Sequence, residues 1–209
     1  MINVEELLDI EQLRKLAREG TGRGVRVAIV DTGVDAEHPA LEGCVKSTLE
    51  VAFEGRQLVC RATSDGDPVG HGTACAGIIH ALAPEAELHS LRVIGHQAAG
   101  SLEQLLFGLK WAIDQDMDVI NLSLGTVQKR LMSALQELVD QAYYKSQIVV
   151  TAANNQQQVS YPANFASLIA VDNQSFDDPL TFHYHLGRPI EIAANGIYVK
   201  APSPGGKFR

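Results

Sequence analysis

Val25-Arg26-Val27-Ala28-Ile29-Val30 is an apolar run rich in valine and isoleucine, and Asp31-Thr32-Gly33 closes it. β-Branched side chains pack well on a pleated surface, whereas Asp and Gly favour a turn, so this stretch reads as a buried strand with a polar end. Outward from it, two periods alternate. Short apolar strands are expected over 86–93, 118–124, 148–152 and 168–171. Apolar residues at helical spacing mark helices over 72–82, 102–116 and 128–145. Strands alternating with helices of this length imply βαβ units, hence an α/β fold whose parallel sheet is covered on both faces. Leu7, Leu8, Leu13, Leu16 and Ala17 lie between charges from Glu5 to Arg18, which adds a helix ending at Gly20-Thr21-Gly22. The expected organisation is an N-terminal helix and lead-in (1–24) followed by one main domain (25–209).

Composition excludes several classes. With 209 residues, 45% of them hydrophobic and 20% charged, the chain can build a core and is neither disordered nor fibrous. Seventeen basic against 25 acidic residues give a net charge of −8, so nucleic acid, which requires clustered Lys and Arg, is not an expected partner. No apolar stretch approaches the ~18 residues that span a bilayer, and no membrane association is expected. Met1-Ile2-Asn3-Val4-Glu5-Glu6 shows neither the basic start nor the apolar centre of a signal peptide. Cys44, Cys60 and Cys75 are an odd set without CxxC spacing, so neither a zinc site nor a disulfide framework is indicated. A cytoplasmic location is expected.

In a parallel sheet, ligands bind beyond the carboxyl ends of the strands. Those ends read Asp31-Thr32-Gly33, Asn121-Leu122-Ser123-Leu124-Gly125 and Ala152-Ala153-Asn154-Asn155, and Gly70-His71-Gly72-Thr73 opens a helix beside them. Asp31 alone is as readily a turn residue, and His71 alone a structural helix start. As a pair they suit acid–base chemistry, because a carboxylate that holds Nδ1–H leaves Nε2 to accept a proton. The helix dipole opposes the cation, so a neutral resting imidazole near pH 7 is expected, with the flanking glycines admitting substrate. Asn155 is either a turn residue or a donor to an oxyanion. Ser123, Leu124 and Gly125 offer a backbone edge for an extended peptide. Gly100, Ser101 and Leu102 supply either the opposing edge or only a loop and N-cap.

Val27-Ala28-Ile29-Val30-Asp31-Thr32-Gly33-Val34-Asp35 with His38-Pro39, and Gly70-His71-Gly72-Thr73-Ala74-Cys75-Ala76-Gly77, resemble the aspartate and histidine motifs of the subtilisin-like serine peptidases. Ala83-Pro84-Glu85-Ala86, Val119 to Gly125, Val149 to Asn155 and Tyr161-Pro162-Ala163 resemble the segments that follow in that family, in the same order. The resemblance implies a three-layer α/β/α fold with a mainly parallel sheet, in which Asp31 orients His71, His71 is general base and acid, and Asn155 donates to the oxyanion. It implies an extended peptide or protein substrate bound along 100–102 and 123–125, and Ser160 as a small neutral pocket floor. It brings no metal or organic cofactor. Cys75, one turn after His71, is implied to be a neighbour that confers mercurial sensitivity and not a nucleophile.

The chain also departs from the family. The nucleophilic serine belongs to a Gly-Thr-Ser segment, and Ala201 to Arg209 resembles only the stretch leading to it. The serine is therefore expected shortly beyond Arg209, which would make the fold C-terminally incomplete and the 209-residue chain inactive. Self-association through the uncovered face would follow. The alternative is a noncatalytic peptide-binding relative. Ser203, between two prolines, reads as a turn residue. Ala40 and the short His80-Ala81-Leu82-Ala83-Pro84 leave no room for the family's calcium loop, and Asp65-Gly66-Asp67 reads as a surface turn. Thr126 and Asn154 stand where glycine is usual, which suggests a narrower pocket.

Overall fold

The computed structural model describes residues 18–95, 100–154, 158–178, 180–197 and 199–209, together with Lys15. Its elements are β1 (Arg26–Asp31), β2 (Val45–Glu54), β3 (Gln57–Ala62), α1 (His71–Leu82), β4 (Glu87–Arg92), α2 (Leu102–Asp114), β5 (Val119–Leu122) and α3 (Met132–Tyr144). There follow β6 (Ile148–Ala152), β7 (Ile169–Gln174), β8 (Phe182–Tyr184), β9 (Ile192–Asn195), β10 (Pro202–Ser203) and β11 (Lys207–Phe208). The main sheet runs β3-β2-β4-β1-β5-β6-β7-β9-β8. Every inner pairing is parallel, and only the β2–β3 and β8–β9 edge pairs are antiparallel.

Strand register decides which side chains meet which helix. Ala28 and Val30 of β1, Ile120 and Leu122 of β5 and Val149 of β6 pack against α2 and α3. Val27 and Ile29 point the other way, with Leu88, and meet Ala76 of α1 and Leu41. α2 buries Leu105, Gly108, Leu109, Ala112 and Ile113, and α3 buries Leu135, Val139 and Ala142. Each helix thus lays one i, i+4, i+7 stripe on the sheet. The result is three α/β/α layers around a mainly parallel sheet. Burying the side chain of a residue such as Leu109 or Ile120, both fully enclosed, stabilises the fold by roughly 1.5–3 kcal/mol.

Two features were not expected. The β2–β3 hairpin falls in a stretch for which the sequence reading names no element, although Leu49 and Val51 alternate with Thr48 and Glu50 there. Ser203 sits in β10, paired with Lys207, and not in a turn. The helix expected over Glu5–Arg18 lies mostly outside the described residues, of which Lys15, Arg18 and Glu19 are helical. No helix among the described residues is long and apolar enough to cross a membrane.

Candidate active site

Asp31 is the last residue of β1 and is fully buried. His71 opens α1. The imidazole Nδ1 lies 2.8 Å from Asp31 Oδ1 and 3.0 Å from Oδ2, and Oδ1 also accepts from Thr32 N at 2.7 Å. The strand end and the helix start can approach this closely because of Gly72. A Cβ there would stand 2.1 Å from Gly33 O and 3.2 Å from Asp31 Cβ. The glycine therefore serves the packing of the β1 turn, which corrects the expectation that it admits substrate. Gly70 adopts φ 89° as the N-cap of α1, a left-handed conformation that suits glycine.

The Asp31 carboxylate raises the proton affinity of His71, and its pKa is pushed up to about 10. The hydrogen bond to Asp31 is the largest cause, the contact with Cys75 adds to it, and burial works against both. The expectation of a neutral imidazole at pH 7 is corrected accordingly. With 46% of the side chain exposed, desolvation is too weak to offset a carboxylate bonded through both oxygens. The Asp31 carboxylate therefore favours the protonated form of the ring.

Cys75 Sγ is 3.9 Å from His71 Nδ1 and 3.7 Å from Ser123 Oγ. It thus faces the ring nitrogen that Asp31 already holds. Asp31, His71 and Cys75 bring one donor atom each within 4.8 Å of one another, the only such trio among the described residues. Because Nδ1 is occupied by the carboxylate, the arrangement suits proton transfer.

The cleft beside His71 is lined by Ser123, Leu124, Gly125, Asn154 and Ser160. Ser123 to Gly125 continue from the carboxyl end of β5, and Asn121 Nδ2 donates to Ser123 Oγ at 3.0 Å. Thr126 and Tyr161 exchange two backbone hydrogen bonds of 2.8 Å, which close this strip against the segment holding Ser160. Ser160 is buried behind Gly125. Gly100, Ser101 and Leu102 lie at the start of α2. Ser101 is its N-cap, with Oγ accepting from Gln104 N at 3.1 Å and Ser101 N donating to Gln104 Oε1 at 2.9 Å. Asn155 lies outside the described residues.

Sequence reasoning missed Asp67. The stretch 65–67 is not simply a surface turn, because Asp67 is only 5% exposed and Asp65 pairs with the buried Arg92 at 3.1 Å. An acid four residues before the histidine was the available signal.

Residues 22–196 match the Subtilase family. The chain belongs to the subtilases. It is 32% identical over 204 residues to Subtilisin NAT of Bacillus subtilis subsp. natto, spanning 90% of this chain and 51% of that protein. It is 33% identical over 199 residues to Subtilisin Savinase of Lederbergia lenta, spanning 90% of this chain and 70% of that protein. This subtilase chain therefore covers about half the length of relatives such as Subtilisin NAT. Among solved structures, the S41 Psychrophilic Protease superposes with TM-score 0.74 at 25% identity, over 91% of this chain and 72% of that one. A lanthipeptide protease superposes with TM-score 0.71 at 24% identity, over 92% of this chain and 65% of that one, and shows the same fold.

Proposed function

We propose that this subtilase is a serine endopeptidase whose acid–base pair is Asp31 and His71. The observation that carries the reading is the carboxylate within 2.8 Å of Nδ1 at the rim of a cleft. With Nδ1 engaged, Nε2 takes the proton of an attacking hydroxyl and later returns it to the leaving amine. Substrate lies extended along Ser123, Leu124 and Gly125, with Gly100, Ser101 and Leu102 as the opposing edge. Ser160 forms the pocket floor, and Asn155 donates to the oxyanion. The chemistry draws on no metal or organic cofactor. The nucleophile comes from a Gly-Thr-Ser segment beyond Arg209. In support, the β10–β11 hairpin docks on α1, where a Cβ on Gly77 would stand 2.3 Å from Pro202 Cγ. His38 Nε2 donates to Lys207 O at 2.8 Å, and Arg209 Nη2 donates to Gly70 O at 3.1 Å. A continuation from Arg209 therefore starts beside the residue that precedes His71.

A face is also open to such a continuation. Val119 pairs with Ile148, and Val150 with Ile169, so both isoleucines share the α1 side of the sheet. They are 48% and 39% exposed there. The continuation covers them, and the 209-residue chain without it self-associates through this face. Three free thiols, Cys44, Cys60 and Cys75, suit a reducing, cytoplasmic setting.

One observation favours a second reading, a noncatalytic peptide-binding subtilase. Among the described residues, the side chains that hydrogen-bond to the His71 ring do so at Nδ1. A fluorophosphonate probe separates the two. The 209-residue chain stays unlabelled under either reading. The chain extended with a Gly-Thr-Ser segment is labelled if it is a peptidase, and labelling is lost in His71→Ala. An extended chain that binds peptide yet takes no label is the noncatalytic protein.

A further inference from the structure

Asp67 makes no ion pair among the described residues. Its buried carboxylate instead accepts five hydrogen bonds. Thr32 Oγ1, Val69 N and Gly70 N donate to Oδ1 at 2.8, 3.1 and 2.7 Å. Thr73 N and Thr73 Oγ1 donate to Oδ2 at 2.8 and 2.7 Å. Both hydroxyls accept in turn, Thr32 Oγ1 from Gly72 N and Thr73 Oγ1 from Asp35 N, each at 3.0 Å. Burying a carboxylate is costly unless its lone pairs are met, and here donors from two separate elements meet them. Thr32 directly follows Asp31 at the end of β1, while Gly70, Gly72 and Thr73 surround His71 at the start of α1. Asp67 touches neither member of the pair, but it ties together the two elements that carry them.

We infer that Asp67 is a positioning residue, which through Thr32 clamps the end of β1 to the start of α1 and so keeps both Asp31 oxygens on His71 Nδ1. The inference rests on the reading of Asp31 and His71 as the acid–base pair of the site. A carboxylate that merely capped α1 would need Gly70 and Thr73 but not the Thr32 link, and that difference makes the proposal testable.

The readout is the NMR titration midpoint of His71 in the 209-residue chain labelled with ¹⁵N-histidine, its resonance assigned with His71→Gln. Asp31 and Cys75 are the groups that face the imidazole, and none of the variants alters them. Asp67→Asn is expected to cut the proton affinity of His71 by about tenfold or more. Part of that change is the direct loss of a nearby charge, and the variant could also fail to fold. Thr32→Val avoids both problems, since it leaves every charge and the bonds from Asp67 to α1 in place and removes only the Thr32 hydroxyl, which joins Asp67 to Gly72 N. It is expected to cut the affinity by about threefold or more, whereas Thr32→Ser, which keeps the hydroxyl, stays within about twofold of the parent. An unchanged midpoint in Thr32→Val overturns the proposal and leaves Asp67 as a helix cap. A parent midpoint near 6.5 would instead overturn the Asp31–His71 coupling itself, and the proposal with it.

Discussion

Replacing Asp31 by Asn removes the group that holds a proton on His71 while leaving the shape of the site nearly unchanged. The Asp31 carboxylate pushes the pKa of the parent imidazole up to about 10, against 6.5 for an ordinary histidine. At 1.36 kcal/mol per pH unit that interval corresponds to ~5 kcal/mol. The side chain is 46% exposed, however, and solvent screening reduces the usable part to about 1–2 kcal/mol. The sign follows from proton linkage. A pKa raised in the folded state stabilises fully below 6.5, and the gain disappears as pH rises through about 10. The parent chain should therefore lose about 1–2 kcal/mol more stability between pH 6 and pH 10 than Asp31→Asn does. Urea unfolding followed by the fluorescence of Trp111, the one tryptophan, measures this at each pH. Taking the difference between the two chains cancels the thiols, tyrosines and lysines that titrate in the same range. Equal pH slopes, or a parent His71 midpoint near 6.5, would refute the coupling.

Three further outcomes are expected. Gly72→Ala should cost about 3 kcal/mol or more, because the added Cβ would stand 2.1 Å from a backbone oxygen that cannot move aside, and a midpoint shift in urea reads the loss directly. In the extended chain, Cys75→Ala should leave peptide hydrolysis within a few-fold of the parent while removing inhibition by mercurials, whereas loss of turnover would make the thiol a participant. Chelation of calcium should leave the melting temperature nearly unchanged, and a fall of tens of degrees would reveal a cation site.

Protonation of His71 also has a consequence for the reaction. A general base must be neutral, and the open cleft favours the imidazolium. Substrate and a nucleophile-bearing segment withdraw water from the ring, which lowers its proton affinity. The rate of the extended chain should accordingly rise with pH well into the alkaline range, with its midpoint below about 10.

The centre of the sheet was readable because β1 is buried on both faces and so appears as a continuous apolar run bounded by turn residues. β2 and β3 escaped because lysine, glutamate and arginine break up their apolar pattern, and β3 is an edge strand. β8, exposed throughout, leaves no burial pattern to read. The approach of Asp31 to His71 followed from motif order, since strand ends and helix starts gather at one rim of a parallel sheet. The proton affinity of His71 did not, because it depends on how much water reaches the ring. Asp67 was hidden for a related reason: an acid between glycine and proline resembles a solvated turn until the fold supplies five donors.

The account rests on Asp31 and His71 acting together on a peptide bond. The most direct measurement is turnover of an extended peptide by the chain extended with a Gly-Thr-Ser segment, compared with the same chain bearing His71→Ala. The account predicts a loss of about 10⁴–10⁶ in kcat, with peptide affinity largely retained. Turnover within tenfold of the parent would contradict it.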